Sequence, residues 1–164
     1  MQFVRANGLN FCLERRGSGD PVLFLGGTGW DLRDRPNPLD GPLAKHFEMI
    51  LFDQRGMGQS DKPDIEYSMS DYAEDAVGIL DALDLGSVHV VGFSFGGMVA
   101  QELAIRHPDR VRRLVLAGAT SGGAGGSSYP IHEFLDLDPE TRARRGLEVM
   151  DLAFTPEWQA ANPT

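Results

Sequence analysis

Cysteine is all but missing: Cys12 stands alone, so no internal disulfide can form, which fits a reducing compartment. Long apolar runs are missing too. No stretch approaches the roughly 18 to 20 apolar residues of a membrane helix. The N-terminal M-Q-F-V-R-A-N-G-L-N-F-C-L-E-R-R-G is broken by charge every few residues and has no apolar core of signal-peptide length. The expected location is the cytoplasm, with no membrane partner. Positive charge is scarce: 15 Lys and Arg against 24 Asp and Glu give a formal net charge of −9. Such a chain repels phosphate backbones and anionic lipid, which excludes nucleic acid as a partner.

What is present is ordinary globular composition, with 41% hydrophobic and 24% charged residues over 164 positions, enough for one real core. Residues 2–16 alternate as two short strands around Asn7-Gly8, a strong hairpin dipeptide, and so predict an antiparallel start. The runs Pro21 to Leu25 and Glu48 to Phe52 are apolar on both faces, as buried parallel strands are. S-D-Y-A-E-D-A-V-G-I-L-D-A-L-D-L-G over 70–86 places Tyr72, Ala76, Leu80 and Leu83 on one helical face. Ser70 or Asp71 is read as its cap and Gly86 as its end. A strand over Val88 to Phe93, a helix from Gly96 to Arg106 closed by His107-Pro108, and a strand from Val111 to Ala119 follow. Strands alternating with helices imply right-handed crossovers, hence an α/β fold with a mostly parallel sheet covered by helices.

Composition shifts at Thr120, where S-G-G-A-G-G-S-S reads as a linker. The expected units are a core over 1–120 and a second segment over 121–164. In the second, Asp138-Pro139-Glu140 opens a helix with Ala143, Leu147, Met150 and Phe154 on one face, and Thr155-Pro156-Glu157 repeats that start signal.

The segment V-G-F-S-F-G-G-M at 91–98 runs from a strand into a helix through G-x-S-x-G. This is the context a nucleophile elbow needs: the glycines make room for a tight turn that lifts the Ser94 hydroxyl above the sheet edge. The following helix aims its positive end at the site, and the backbone N–H of Phe95 becomes an oxyanion donor. The plainer alternative is a glycine-rich turn that binds a phosphate or nothing.

Three blocks make the sequence resemble the α/β-hydrolase family: L-F-L-G-G-T-G-W at 23–30, F-D-Q-R-G-M-G-Q-S at 52–60 and V-V-G-F-S-F-G-G-M-V-A-Q-E-L-A at 90–104. The resemblance covers the N-terminal core only and implies a fold lacking the C-terminal strands, with 121–164 holding the start of a helical lid. It implies a second oxyanion N–H after the first block. Gly26 stands where the family usually has His, which assigns that donor to Thr28, with Gly27 as the alternative. The second block resembles the family's D-x-R-G-x-G-x-S loop, so Asp53, Arg55 and Ser60 are structural, the first two bracing backbone near the elbow. Serine rather than aspartate at the elbow implies acyl-enzyme chemistry on esters, lactones, thioesters or a C–C bond beside a carbonyl. No metal or cofactor is implied. Trp30 is a candidate for lining the substrate's acyl pocket, with Met98 equally a core residue.

The family's chain order is Ser, then Asp or Glu, then His, and nothing here fills the last place. His46 precedes a strand, His89 lies within one, and His107 ends a helix about 20 Å from Ser94 at 1.5 Å per residue. His132 alone follows the glycine run, and a surface loop residue is its simpler reading. The expected function is therefore the N-terminal part of a serine hydrolase whose acid and histidine lie outside this chain, inactive alone. The alternative is a non-catalytic binding module that keeps the architecture. A parallel strand left at the sheet edge predicts a complementary C-terminal polypeptide or self-association as partner.

Overall fold

The computed structural model describes the backbone of residues 1–121, 131–134, 136–150 and 155–162. The chain divides into two compact units, Met1–Gly125 and Gly126–Thr164. In the first, six strands form one sheet: β1 (Gln2–Ala6), β2 (Leu9–Arg16), β3 (Pro21–Leu25), β4 (Glu48–Phe52), β5 (Val88–Phe93) and β6 (Val111–Ala117). Their spatial order is β1-β2-β4-β3-β5-β6. The hairpin turns at Asn7 and Gly8, both at positive φ, and β1, β2 and β4 pair antiparallel. From β4 to β6 every pairing is parallel.

Side chains alternate across a strand, and the sheet uses both faces. Leu23 and Leu25 join Phe11, Ile50, Phe52 and Val90 in a core beneath helices α1 (Met69–Ala82) and α2 (Phe95–Arg106). On the opposite face Val22, Met49, Leu51, Leu32 and Leu39 form a second cluster with Phe24 and Trp30 packed against it. The doubly apolar runs predicted as buried parallel strands are therefore β3 and β4.

Helix α1 starts earlier than its sequence suggests. Ser68, not Ser70 or Asp71, is the cap: its Oγ accepts from the Asp71 N–H at 3.2 Å, and Asp71 Oδ2 accepts from the Ser68 N–H at 2.8 Å. Asp71 takes the third helical position of a reciprocal capping box, a role a carboxylate fills as well as the cap itself. The helix also ends before Gly86: Leu83 is the C-cap, and Asp84 takes the left-handed turn at φ 56° that glycine was expected to take. Aspartate tolerates that region better than most residues.

Strand β6 ends at Ala117 rather than Ala119, because Gly118 turns at φ 58°. It forms one edge of the sheet, with Leu114, Val115 and Leu116 exposed. In the second unit, α3 (Pro139–Met150) is capped by Asp138, whose Oδ1 accepts from the Thr141 N–H at 3.0 Å, and α4 (Pro156–Ala161) by Thr155. The glycine-rich linker beyond Ser121 and Phe154 lie outside the described residues, as do the side chains of Leu147 and Met150. Among the described residues no helix is long and apolar enough to cross a membrane.

Candidate active site

Ser94 sits between β5 and α2 at φ 53°, ψ −121°. A non-glycine residue there carries about 1 to 3 kcal/mol of backbone strain, held only because the surroundings determine it. Two glycines make the approach possible. A Cβ on Gly92 would stand 2.6 Å from both the Gly96 oxygen and Gly97 Cα, so only a bare α-carbon lets α2 lie against β5. A Cβ on Gly96 would run into the carbonyl oxygens of Leu25 and Gly26 at the end of β3. The elbow is thus wedged against the start of the 26–32 loop.

That loop supplies N–H groups. Gly27 is buried, and a Cβ built on it would stand 3.4 Å from Ser94 Cβ. Gly27 O accepts from the Trp30 N–H at 3.2 Å across a turn with Gly29 at φ 74°, while Thr28 is exposed at its tip. Among the described residues the N–H groups of Gly27, Thr28 and Phe95 make no hydrogen bond, and Ser94 offers α2 no side-chain cap. Thr28 and Gly27 are both available on the loop side, and Phe95 heads the helix on the other. Unpaired N–H groups beside a strained serine suit a developing oxyanion.

Trp30 has a packing role that the sequence did not disclose. Its indole is tilted against Phe24, with ring centroids 5.6 Å apart, and it covers Gly26 so closely that a Cβ there would run into the ring. Histidine at 26 and tryptophan at 30 therefore compete for one space. Met98 is half-buried on α2.

Two consecutive residues after β4, Asp53 and Gln54, tie this loop to the fold. Asp53 Oδ1 accepts from the Leu32 N–H at 2.7 Å, closing the loop's far end, and Oδ2 accepts from the Gln59 N–H at 2.8 Å. Burial pushes the Asp53 carboxyl pKa up, with those two N–H groups opposing. Ser60 donates to the Asp53 carbonyl and accepts from the Cys12 N–H at 2.9 Å. Gln54 Nε2 donates to Gly26 O at 3.0 Å, at the loop's near end.

Arg55 does not brace backbone as the resemblance implied. It makes a buried two-pronged pair with Asp75 on α1, 2.5 and 2.7 Å, between the rings of Tyr67 and Tyr72. Asp75 was missed. Its signal was a carboxylate on the apolar stripe of Tyr72, Ala76 and Ile79, where a charge needs a partner.

Next to Trp30, Asp31 accepts from the Arg33 backbone N–H and guanidinium, which lowers its pKa from 3.8 to about 2. A carboxyl lowered on folding contributes order above its unfolded value and loses it as pH falls through the folded one. Trp30 fluorescence, read in a Trp158→Phe background, should therefore report loop loosening as pH drops from 3.8 toward about 2. In Asp31→Asn that step should be absent.

No described histidine reaches Ser94. His46 ends a short 3-10 helix, His89 lies edge-on to Phe47, and His107 Nε2 meets Glu74 Oε1 at 2.9 Å. The His132 side chain lies outside those described. Among the described residues no group of His, Cys, Asp and Glu could hold a metal ion.

A sheet parallel from β4 onward, with a strained serine between β5 and α2 beside free N–H groups, is hydrolase architecture. The α/β hydrolase fold family matches residues 20–162, and the chain belongs to that family. It is 42% identical over 136 residues to 2-hydroxymuconate semialdehyde hydrolase of Pseudomonas sp. (strain CF600), covering 81% of this chain and 46% of the relative. To the 2-hydroxy-6-oxo-2,4-heptadienoate hydrolase of Pseudomonas putida it is 37% identical over 138 residues, 82% of this chain and 48% of the relative. Among solved structures, Est816, described as an N-acyl homoserine lactone degrading enzyme, superposes with a TM-score of 0.72 at 28% identity, covering 99% of this chain and 61% of that one. The chain thus spans about half the length of these curated relatives.

Proposed function

We propose that this chain carries the nucleophile-bearing part of a serine hydrolase that cleaves a bond beside a carbonyl through an acyl-enzyme on Ser94. The observation that carries this is the strained Ser94 placed against Gly27, with the N–H groups of Gly27, of Thr28 next to it and of Phe95 at the head of α2 unpaired among the described residues. In the reaction a base removes the Oγ proton as oxygen attacks the carbonyl carbon. The oxyanion sits on those N–H groups, and the leaving group departs with the proton. Water then releases the acid and restores the serine. None of the three histidines whose side chains are described serves as that base, so this reading takes the base and its orienting acid from outside the described residues.

The substrate is a hydroxy-oxo-dienoate of the kind named for two relatives, and cleavage of its carbon–carbon bond beside the carbonyl is the step an acyl-enzyme on serine would perform. Lactone opening is the second reading, supported by the likeness to Est816. Full-length protein containing this segment should consume 2-hydroxymuconate semialdehyde, followed as loss of dienol absorbance, faster than an acyl homoserine lactone followed by acid release. The 164-residue chain alone should leave p-nitrophenyl esters at background. A folded full-length protein that turns over none of these would instead be a binding module.

A further inference from the structure

We propose that Gln54 is a positioning residue that aims the loop-side oxyanion donor by clamping the Gly26–Gly27 peptide. The proposal deepens the hydrolase reading and rests on it. A peptide unit is planar and trans, so its C=O and N–H point in opposite directions, and fixing one fixes the other. Gln54 Nε2 holds Gly26 O at 3.0 Å, and the elbow helix approaches the same oxygen so closely that a Cβ on Gly96 would stand 2.5 Å from it. Held there, the carbonyl keeps one direction, and the Gly27 N–H of the same plane, which has no partner among the described residues, keeps the opposite one. Gly27 is the loop residue whose missing side chain lets it approach Ser94.

The donor assignment follows from the partner. Reversing the amide would set Oε1 against a carbonyl oxygen, two acceptors facing each other. Gln54 is only 1% exposed, and no described donor reaches its Oε1. Space-filling alone would be met by Met or Leu with no unmet acceptor, so the side chain is there for its N–H. Asp53 fastens the other end of the loop at Leu32, which leaves Gln54 as the side chain controlling the end nearest Ser94.

The test compares wild type with Gln54→Met, which keeps the shape and loses the donor, and Gln54→Glu, which donates only when protonated. In full-length protein with 2-hydroxymuconate semialdehyde, Gln54→Met should lower kcat by about 10- to 100-fold with KM changed less than about 3-fold. Gln54→Glu should regain kcat as pH falls, a slope absent from wild type. In 13C-labelled full-length protein, the Gly26 carbonyl resonance should move upfield in Gln54→Met while that of Leu103 stays. A fall in kcat with the Gly26 resonance unmoved, or both unchanged in a folded variant, overturns the proposal. If wild type turns over no substrate, the hydrolase reading fails and the Gly26 resonance still decides whether the clamp exists.

Discussion

On the proposed serine chemistry, replacing Ser94 with alanine is expected to lower kcat of the full-length protein by about 10⁴- to 10⁶-fold, the range seen when a hydrolase loses its nucleophile but keeps its oxyanion donors. Stability should move the other way or not at all. At φ 53° and ψ −121° serine is strained, and glycine adopts that region without penalty. Ser94→Gly should therefore be as inactive as Ser94→Ala while gaining up to about 1 kcal/mol, an amount limited by the extra freedom glycine brings to the unfolded chain. Urea unfolding of the 164-residue chain measures the gain, and steady-state kinetics of the full-length protein measure the loss. A Ser94→Ala enzyme retaining a tenth of its rate would remove serine from the chemistry, whatever its backbone does.

The second large effect concerns the fold. Asp75→Ala should destabilise the chain by about 3 to 5 kcal/mol, because it strands the Arg55 guanidinium, 9% exposed, in a site built for its counter-charge. Asp71 Oδ1 lies 3.7 Å from the same guanidinium and should hold the loss toward the lower figure. Removing both partners should hurt less than removing one: Arg55→Met with Asp75→Leu leaves no buried charge and fills similar volume. Urea midpoints of both single variants and the pair test this. A double variant weaker than the sum of the singles would mean the pair does more than neutralise itself. Since a domain this size holds only about 5 to 15 kcal/mol in all, Asp75→Ala alone should also lower soluble yield.

Much of this was legible residue by residue. The bounds of β3, β4 and β5 follow from short apolar runs, since a strand buried on both faces leaves no polar alternation to obscure its ends. Asn7-Gly8 announced the hairpin, and G-x-S-x-G after a strand announced the elbow. The misplacements have local causes. Ser68, Ser70 and Asp71 all compete for one cap, and which wins depends on where the chain enters the helix. Asp84 took a turn that Gly86 could equally have made.

Sequence alone determined the α/β class, the strained serine, the lone cysteine and the acidic surface charge, because each depends on residue type and short spacing. Tertiary structure alone decided that Arg55 pairs with Asp75, that Trp30 fills the space over Gly26, and that Gln54 reaches back to the Gly26 carbonyl. Those contacts join residues 20 or more apart in the chain, or depend on a ring's packing. No local pattern encodes which distant group will meet a buried donor once the sheet has brought them side by side.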